Sequence, residues 1–322
     1  MAQLPSNPEL IQSVGGLGLG CWSFGGDAWG GQADDDSLAA MKTALELGIH
    51  HFDTAIAYGG GRSERVVGQF IREHDARERI FLASKGNMPD MKPEQAVKQL
   101  TKSLDNLNVD AIDLYYIHWP RSNKDMRPVM EQLERMREPG RIKAIGVSNF
   151  SVEQMQQVGE VGTVDAHQLC YSLFWRQPEA EIIPYCRENG IAVVTYSSLA
   201  QGILTGKFPR EPGFPEGDQR PNAVIWFQEA IWPTVHEATE RLKALAEREG
   251  QPLTHLAIQW ALNQPGIDGV LVGARDGGQA RENIAALGAQ VPGEVLAEMT
   301  RISEQVMGVL PADQWNIFGM NP

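Results

Sequence analysis

The chain has 322 residues, long for one ordinary domain but normal for a barrel with extended loops. Hydrophobic residues make up 42% and charged residues 21%, which supplies a large core and argues against disorder. A formal net charge of −13 repels phosphate backbones and anionic headgroups, so nucleic acid and membrane surfaces are poor partners, although a local cationic pocket still admits a phosphorylated ligand.

The three cysteines, Cys21, Cys170 and Cys186, include no Cys-x-x-Cys pair. That argues against a disulfide scaffold or zinc cluster and suits a reducing compartment. The first ten residues, MAQLPSNPEL, lack the basic and apolar regions of a signal peptide. No apolar stretch approaches the ~20 residues that span a bilayer. The expected location is therefore the cytoplasm.

Along the chain, short apolar or β-branched runs alternate with segments of helical periodicity. A strand is expected over 16–22, then a helix over 36–47 closed by Leu47-Gly48. Strand 50–53 precedes helix 63–73, and strand 80–84 precedes helix 93–107. There Lys92-Pro93 places proline in the first turn and Glu94 adds a carboxylate near the positive helix end. Strand 111–117 leads to helix 126–137, strand 141–148 to helix 152–159, and strand 164–169 to helix 178–189. Glu188-Asn189-Gly190 reads as the C-cap of that helix. Strand 191–196 is followed by an irregular stretch over 201–233, rich in glycine, proline and charge, of the kind that is functional or mobile. Helix 234–248, strand 269–273 and helix 279–287 complete the alternation. A last helix over 292–307 and a tail with exposed-looking aromatics, Trp315 and Phe318, end the chain.

Each crossover between parallel strands needs a helix. Eight such units predict an α/β fold, a closed (β/α)8 TIM barrel, as one domain over 1–322. Gly15-Gly16-Leu17-Gly18-Leu19-Gly20 imitates a dinucleotide fingerprint, but Cys21-Trp22-Ser23-Phe24-Gly25-Gly26 behind it does not read as a helix start. The run is read as the first barrel strand, with glycines allowing close approach of a ligand.

Four polar residues fall at or just beyond predicted strand ends. Asp53 lies in His51-Phe52-Asp53-Thr54-Ala55, Tyr58 in the loop that follows, Lys85 after Ser84, and His118 after Ile117. Alone, each has an ordinary reading: a turn cap, a packed ring, a surface charge, a core histidine. In a barrel the C-terminal strand ends all open on one face, so the four converge there. Their chemistry suits carbonyl reduction. A phenol of ordinary pKa ~10 is a weak acid, a neighbouring ammonium lowers that pKa, a carboxylate holds the ammonium, and a neutral imidazole orients the substrate oxygen.

These motifs, with Ile117-His118-Trp119-Pro120, resemble the Asp, Tyr, Lys and His tetrad of the aldo-keto reductases. The resemblance runs from Gly18 to about Leu287. It is nearest the long-loop bacterial-type subgroup that resembles the potassium-channel beta-subunit-like members. It implies NADP(H)-dependent reduction of small aldehydes or ketones, with Asp53, Tyr58, Lys85 and His118 catalytic. It also implies a cofactor lying extended across the barrel mouth. Gly146-Val147-Ser148-Asn149-Phe150 is similar to the family's strand-five motif, so Ser148, Asn149 and then Gln168 would bond the nicotinamide carboxamide. Tyr196 would stack on its ring. Cys21, Trp22 and Asp53, with Ser197 and Leu199 beside Tyr196, complete the implied contacts at that end. Gly202-Ile203-Leu204-Thr205-Gly206-Lys207 is similar to the pyrophosphate segment, assigning Gly202 and Lys207. Gly273, Arg275, Gln279, Glu282 and Asn283 resemble the adenosine end. Gly273 stands where many members carry lysine, which leaves Arg275 as the cation for a 2′-phosphate. The substrate pocket would be lined by Trp22, Tyr58, His118 and Trp119, with Trp29 and Phe150 as further aromatic candidates. No metal is expected. Two rival readings rank behind: a redox-sensing regulatory subunit, and a metal-dependent hydrolase built on His51, Asp53 and His118.

Overall fold

A computed structural model describes residues 8–27, 30–312 and 316–319. Eight parallel strands close into a barrel: β1 (Gly16–Gly20), β2 (His51–Asp53), β3 (Phe81–Gly86), β4 (Ile112–Ile117), β5 (Ile142–Ser148), β6 (Ala166–Cys170), β7 (Ala192–Tyr196) and β8 (Gly269–Gly273). β1 pairs β8 from Gly16↔Gly269 to Gly20↔Gly273, which completes the ring. The barrel predicted from the alternation is the one observed, with strand ends displaced by at most two residues.

Around it lie α2 (Asp34–Glu46), α3 (Arg62–His74), α4 (Pro93–Leu107), α5 (Arg127–Arg137), α6 (Val152–Gly159), α7 (Ile182–Glu188), α9 (Trp232–Arg248), α10 (Leu253–Leu262), α11 (Gly277–Ala285) and α12 (Gly293–Met307). A short α1 (Pro8–Val14) precedes the barrel, and α8 (Arg220–Ala223) lies in the long connection after β7. The cap signals act as expected: Lys92 caps α4 with Pro93 behind it, and Gly48 and Gly190 follow helix ends with positive φ.

The barrel interior is one cluster. Leu114 and Tyr116 of β4 point inward among Ala83, Ala144, Ala166, Ala192, Val194 and Leu271, while Tyr115 and Ile117 pack outward, the two-residue period of a strand. Small side chains offset large ones. Gly146 leaves room for the Tyr116 ring, which a Cβ there would overlap. Leu10 and Val14 of α1 join this cluster and close the N-terminal floor.

Sequence reading missed α1 and α10. α10 (LTHLAIQWAL) is buried on nearly every side, so it carries no polar stripe to mark its period. Helix 178–189 is observed as a 3-10 turn, Gln177–Glu179, and then α7. Arg176 and the Tyr171 hydroxyl both bond Glu179 in that turn.

Candidate active site

β2 delivers Asp53 at its end, and the chain then curls into a 3-10 turn, Tyr58–Gly61. Gly59, Gly60 and Gly61 all have positive φ, at 59°, 60° and 88°. Three such residues in a row are cheap only for glycine. A Cβ on Gly59 would overlap the backbone of Gly25, so the Tyr58 turn sits flush on the Trp22–Gly25 turn.

β3 presents Lys85, fully buried, to this turn. Its Nζ donates to Asp53 Oδ1 at 2.5 Å, to the Thr54 carbonyl at 2.9 Å and to the Tyr58 hydroxyl at 3.2 Å. The other Asp53 oxygen accepts from Gln168 Nε2 at 2.8 Å. His118, at the end of β4, sets its ring edge-on to Tyr58, with centroids 5.8 Å apart. The four residues proposed from strand ends are thus brought together.

Burial penalises the Lys85 ammonium, but Asp53 and then Tyr58 more than offset this and hold it above its ordinary value. Burial pushes the Tyr58 phenol up, and Lys85 opposes the rise without reversing it. Lys85 thus acts on the phenol in the expected direction, and desolvation is the larger effect. His118 is held well below the ordinary imidazole value by burial and then by Lys85, so it is neutral near pH 7.

Two cavities, of about 360 and 510 Å³, meet above Tyr58 and share Trp22, Tyr58, Tyr196, Gln201 and Arg220. The first holds His118, Trp119, Ser148, Asn149 and Gln168. Asn149 Nδ2 donates to Ser148 Oγ and to the His118 carbonyl, and the Tyr196 hydroxyl donates to Asn149 Oδ1 at 2.7 Å. Amide and hydroxyl groups thus lie beside a flat ring, an arrangement suited to a planar carboxamide.

The second cavity holds Asp53, Ser197, Leu199, Gly202, Lys207, Gly273, Arg275, Gln279, Glu282 and Asn283. Burial, then Arg220, then Arg275 lower the Lys207 pKa, the mark of cations gathered in one place. Arg220 is ion-paired with the buried Asp218 at 2.5 Å and packs over Phe208 and Phe214. Gly202, with φ of 90°, keeps clear the space between Arg220 and Lys207. Asp53 is paired with Lys85, so Lys207, Arg220 and Arg275 outnumber the remaining carboxylates, Asp218 and Glu282, and the pocket is positive, matched to a phosphorylated ligand despite the acidic surface.

The aldo/keto reductase family model matches residues 16–304 of the chain. The chain belongs to the aldo/keto reductase family. The aldo-keto reductase YhdN of Bacillus subtilis is 40% identical over 273 residues, covering 82% of each chain. The NADH-specific methylglyoxal reductase of Escherichia coli is 34% identical, covering 84% of this chain and 89% of that protein. Among solved structures, the glycerol dehydrogenase AKR11B4 from Gluconobacter oxydans superposes with a TM-score of 0.82 at 32% identity. That alignment covers 92% of this chain and 93% of the other.

Within this aldo/keto reductase three sequence assignments change. Cys21 touches neither cavity: its thiol is fully buried, its N–H bonds the Asp53 carbonyl, and its carbonyl accepts from Ser63. Phe150 is a core residue whose N–H is held by His167 Nε2. Phe318 is half-buried rather than exposed, with its ring edge-on to Trp22 at 5.7 Å and to Trp119 at 6.4 Å, so it walls the first cavity. Trp29 and Trp315 lie outside the described residues. His51 faces the barrel floor, with Nδ1 against the Val14 carbonyl, away from His118. Among the described residues no cluster of His, Cys, Asp and Glu is arranged for a metal ion, and no helix is long and apolar enough to cross a membrane.

Arg220 and Gln219 were missed because the 201–233 stretch has no period from which to place a side chain. Arg-Pro at 220–221, opening a one-turn helix, was the only signal.

Proposed function

We propose that this aldo/keto reductase reduces small aldehydes or ketones with NADP(H), and that Tyr58 is the proton donor. The observation that carries this is the Lys85 ammonium, bonded at once to Asp53 and Tyr58, beneath a cavity that continues into the cationic pocket. The donor set fits the cofactor. Lys207 and Arg220 suit the pyrophosphate, Arg275 the 2′-phosphate, and Ser148, Asn149 and Gln168 the carboxamide, with Tyr196 under the ring. An aldo/keto reductase of Klebsiella pneumoniae solved with NADP and acetate is 25% identical, with a TM-score of 0.73, and supports the same reading.

NADP(H), when bound, supplies the hydride in reduction and accepts it in oxidation. The chain's own residues handle the oxygen. Tyr58, kept protonated by burial, gives its proton to the carbonyl oxygen as negative charge develops there. Lys85 stabilises the phenolate left behind, and Asp53 keeps Lys85 charged and in place. Neutral His118 hydrogen-bonds the same oxygen and orients it. Trp22, Trp119 and Phe318 give an apolar, aromatic wall that favours small apolar or aromatic carbonyls.

A panel of aldehydes and ketones, methylglyoxal included, is assayed by loss of NADPH or NADH absorbance. Turnover of at least one small carbonyl at 1 s⁻¹ or more on the scale of ordinary enzymes, ~1–10³ s⁻¹, is the expected result. Tight NADPH binding with negligible turnover across the panel would overturn this reading in favour of a redox-sensing role.

A further inference from the structure

Gln32 stands in the loop that leads from the Trp22–Gly25 turn into α2, and it meets Arg275, 243 residues away, at two points. Arg275 Nε donates to Gln32 Oε1 at 3.0 Å, and Gln32 Nε2 donates to the Arg275 backbone carbonyl at 2.6 Å. The same Gln32 nitrogen is within 3.1 Å of Ser37 Oγ, a fully buried hydroxyl at the first turn of α2. The neighbouring Gly31 carbonyl accepts from Arg275 Nη2. The arginine is therefore clasped at side chain and main chain on the rim of the cationic cavity.

Such a clasp has a chemical consequence. An arginine side chain gives up rotamer freedom when it is fixed. If a protein contact has already fixed it, a ligand meets a pre-set guanidinium and loses less on binding. An amide is the suitable holder, because its oxygen accepts from the guanidinium without cancelling the charge. A carboxylate would hold it as firmly and neutralise it. The nearby acid Asp34 is itself engaged by Arg62 at 2.5 Å.

We propose that Gln32 is a specificity-determining positioning residue: it holds Arg275 ready for a 2′-phosphate and so sets the preference for NADPH over NADH. The proposal rests on the reading that Arg275 meets the 2′-phosphate. It reaches beyond that reading by assigning selectivity to a side chain far away in sequence, brought alongside Arg275 because β1 pairs with β8.

Dissociation constants for NADPH and NADH are measured by fluorescence titration of the wild type, Gln32→Ala, Gln32→Glu and Arg275→Ala. Gln32→Ala is expected to raise the NADPH Kd about three- to tenfold while moving the NADH Kd less than twofold, as lost pre-organisation should. Gln32→Glu is expected to weaken NADPH further, because it adds an opposing charge. The NADH titration doubles as a check that each variant folds. If Arg275→Ala selectively loses NADPH but Gln32→Ala weakens both cofactors equally or neither, the Arg275 reading stands and the Gln32 proposal falls. If Gln32→Ala tightens NADPH, Gln32 competes with the phosphate, and the proposal is again overturned. If Arg275→Ala leaves the NADPH-to-NADH ratio unmoved, the underlying reading fails and takes the proposal with it.

Discussion

Tyr58 has two neighbours that pull its proton in opposite directions. Burial and Asp53 favour the phenol, while Lys85, 3.2 Å away, favours the phenolate. On the proposed mechanism, that balance keeps the proton on the oxygen until a carbonyl takes it. Tyr58→Phe keeps the ring but removes the hydroxyl, so kcat is expected to fall ~10²–10⁴-fold with NADPH affinity nearly unchanged. Lys85→Met should cost a similar factor, and the double variant should lose little more, since both residues serve one proton transfer. Near-normal turnover of Tyr58→Phe, measured where chemistry limits the rate, would leave His118 as the candidate acid. The same pKa directions set a pH profile. With Tyr58 above its ordinary value and His118 well below its own, reductive kcat should stay level from about pH 6 to 9 and fall only beyond the ordinary tyrosine pKa of ~10. A loss of rate centred near pH 6.5 would show an imidazole titrating where a neutral one is expected.

At the scale of elements, the connection after β7 decides how the cationic pocket closes. It begins with residues in uncommon backbone conformations, Ser197, Ala200 and Gln201 at φ of 56°, 48° and 56°, stapled by Gln201 Nε2 to Ser197 Oγ. Its far end is held by stacking of Phe227 on Trp232, with Phe208 against both. Between these anchors residues 209–219 are mostly exposed, and Arg220 crosses back to the Gln201 carbonyl at 3.0 Å. We propose that this middle stretch is mobile without cofactor and ordered by it. Hydrogen exchange over 209–219 should slow when NADPH is added, and Arg220→Ala should abolish most of that slowing. The same variant should weaken NADPH by about tenfold or more, as loss of a charge-assisted contact does. Exchange that is equally slow with and without NADPH would show a loop already set.

At the scale of the whole molecule, several buried groups are kept neutral by the fold. His51, His118 and His167 are all held below the ordinary imidazole value, His167 at about 3. The unfolded chain takes up these protons near pH 6.5 while the folded chain does not, so the stability they contribute is complete above that pH and is lost as pH falls toward 3. Buried Glu64, raised by desolvation, works in the opposite sense. The His167 part can be isolated. Its Nε2 accepts the Phe150 N–H at 3.1 Å, a bond that protonation there would break. The urea midpoint of the wild type should drop between pH 7 and pH 5, with about 2 kcal/mol of the loss due to His167. His167→Gln should drop by visibly less over the same interval. Parallel curves for the two proteins would mean that His167 titrates alike in both states.

The barrel, its strand order and the tetrad were legible in the sequence for one physical reason. Parallel strands need helical crossovers, and every strand then ends on the same face, so Asp53, Lys85 and His118 could be placed together from their positions at strand ends alone. Periodicity also located most helices, because an amphipathic face repeats. Where repetition stopped, so did that reasoning. α10 is buried on nearly all sides and shows no stripe. Arg220 and Phe318 reach the site from segments without a period, and Cys21, a cofactor contact implied by the resemblance, is turned into the protein interior. The net direction of the Tyr58 pKa, the clasp of Gln32 on Arg275 and the closing of the aromatic wall by Phe318 depend on burial and on partners far away in sequence. Those quantities exist only once the chain is folded, because desolvation and hydrogen-bond distance are properties of packed space and not of residue order.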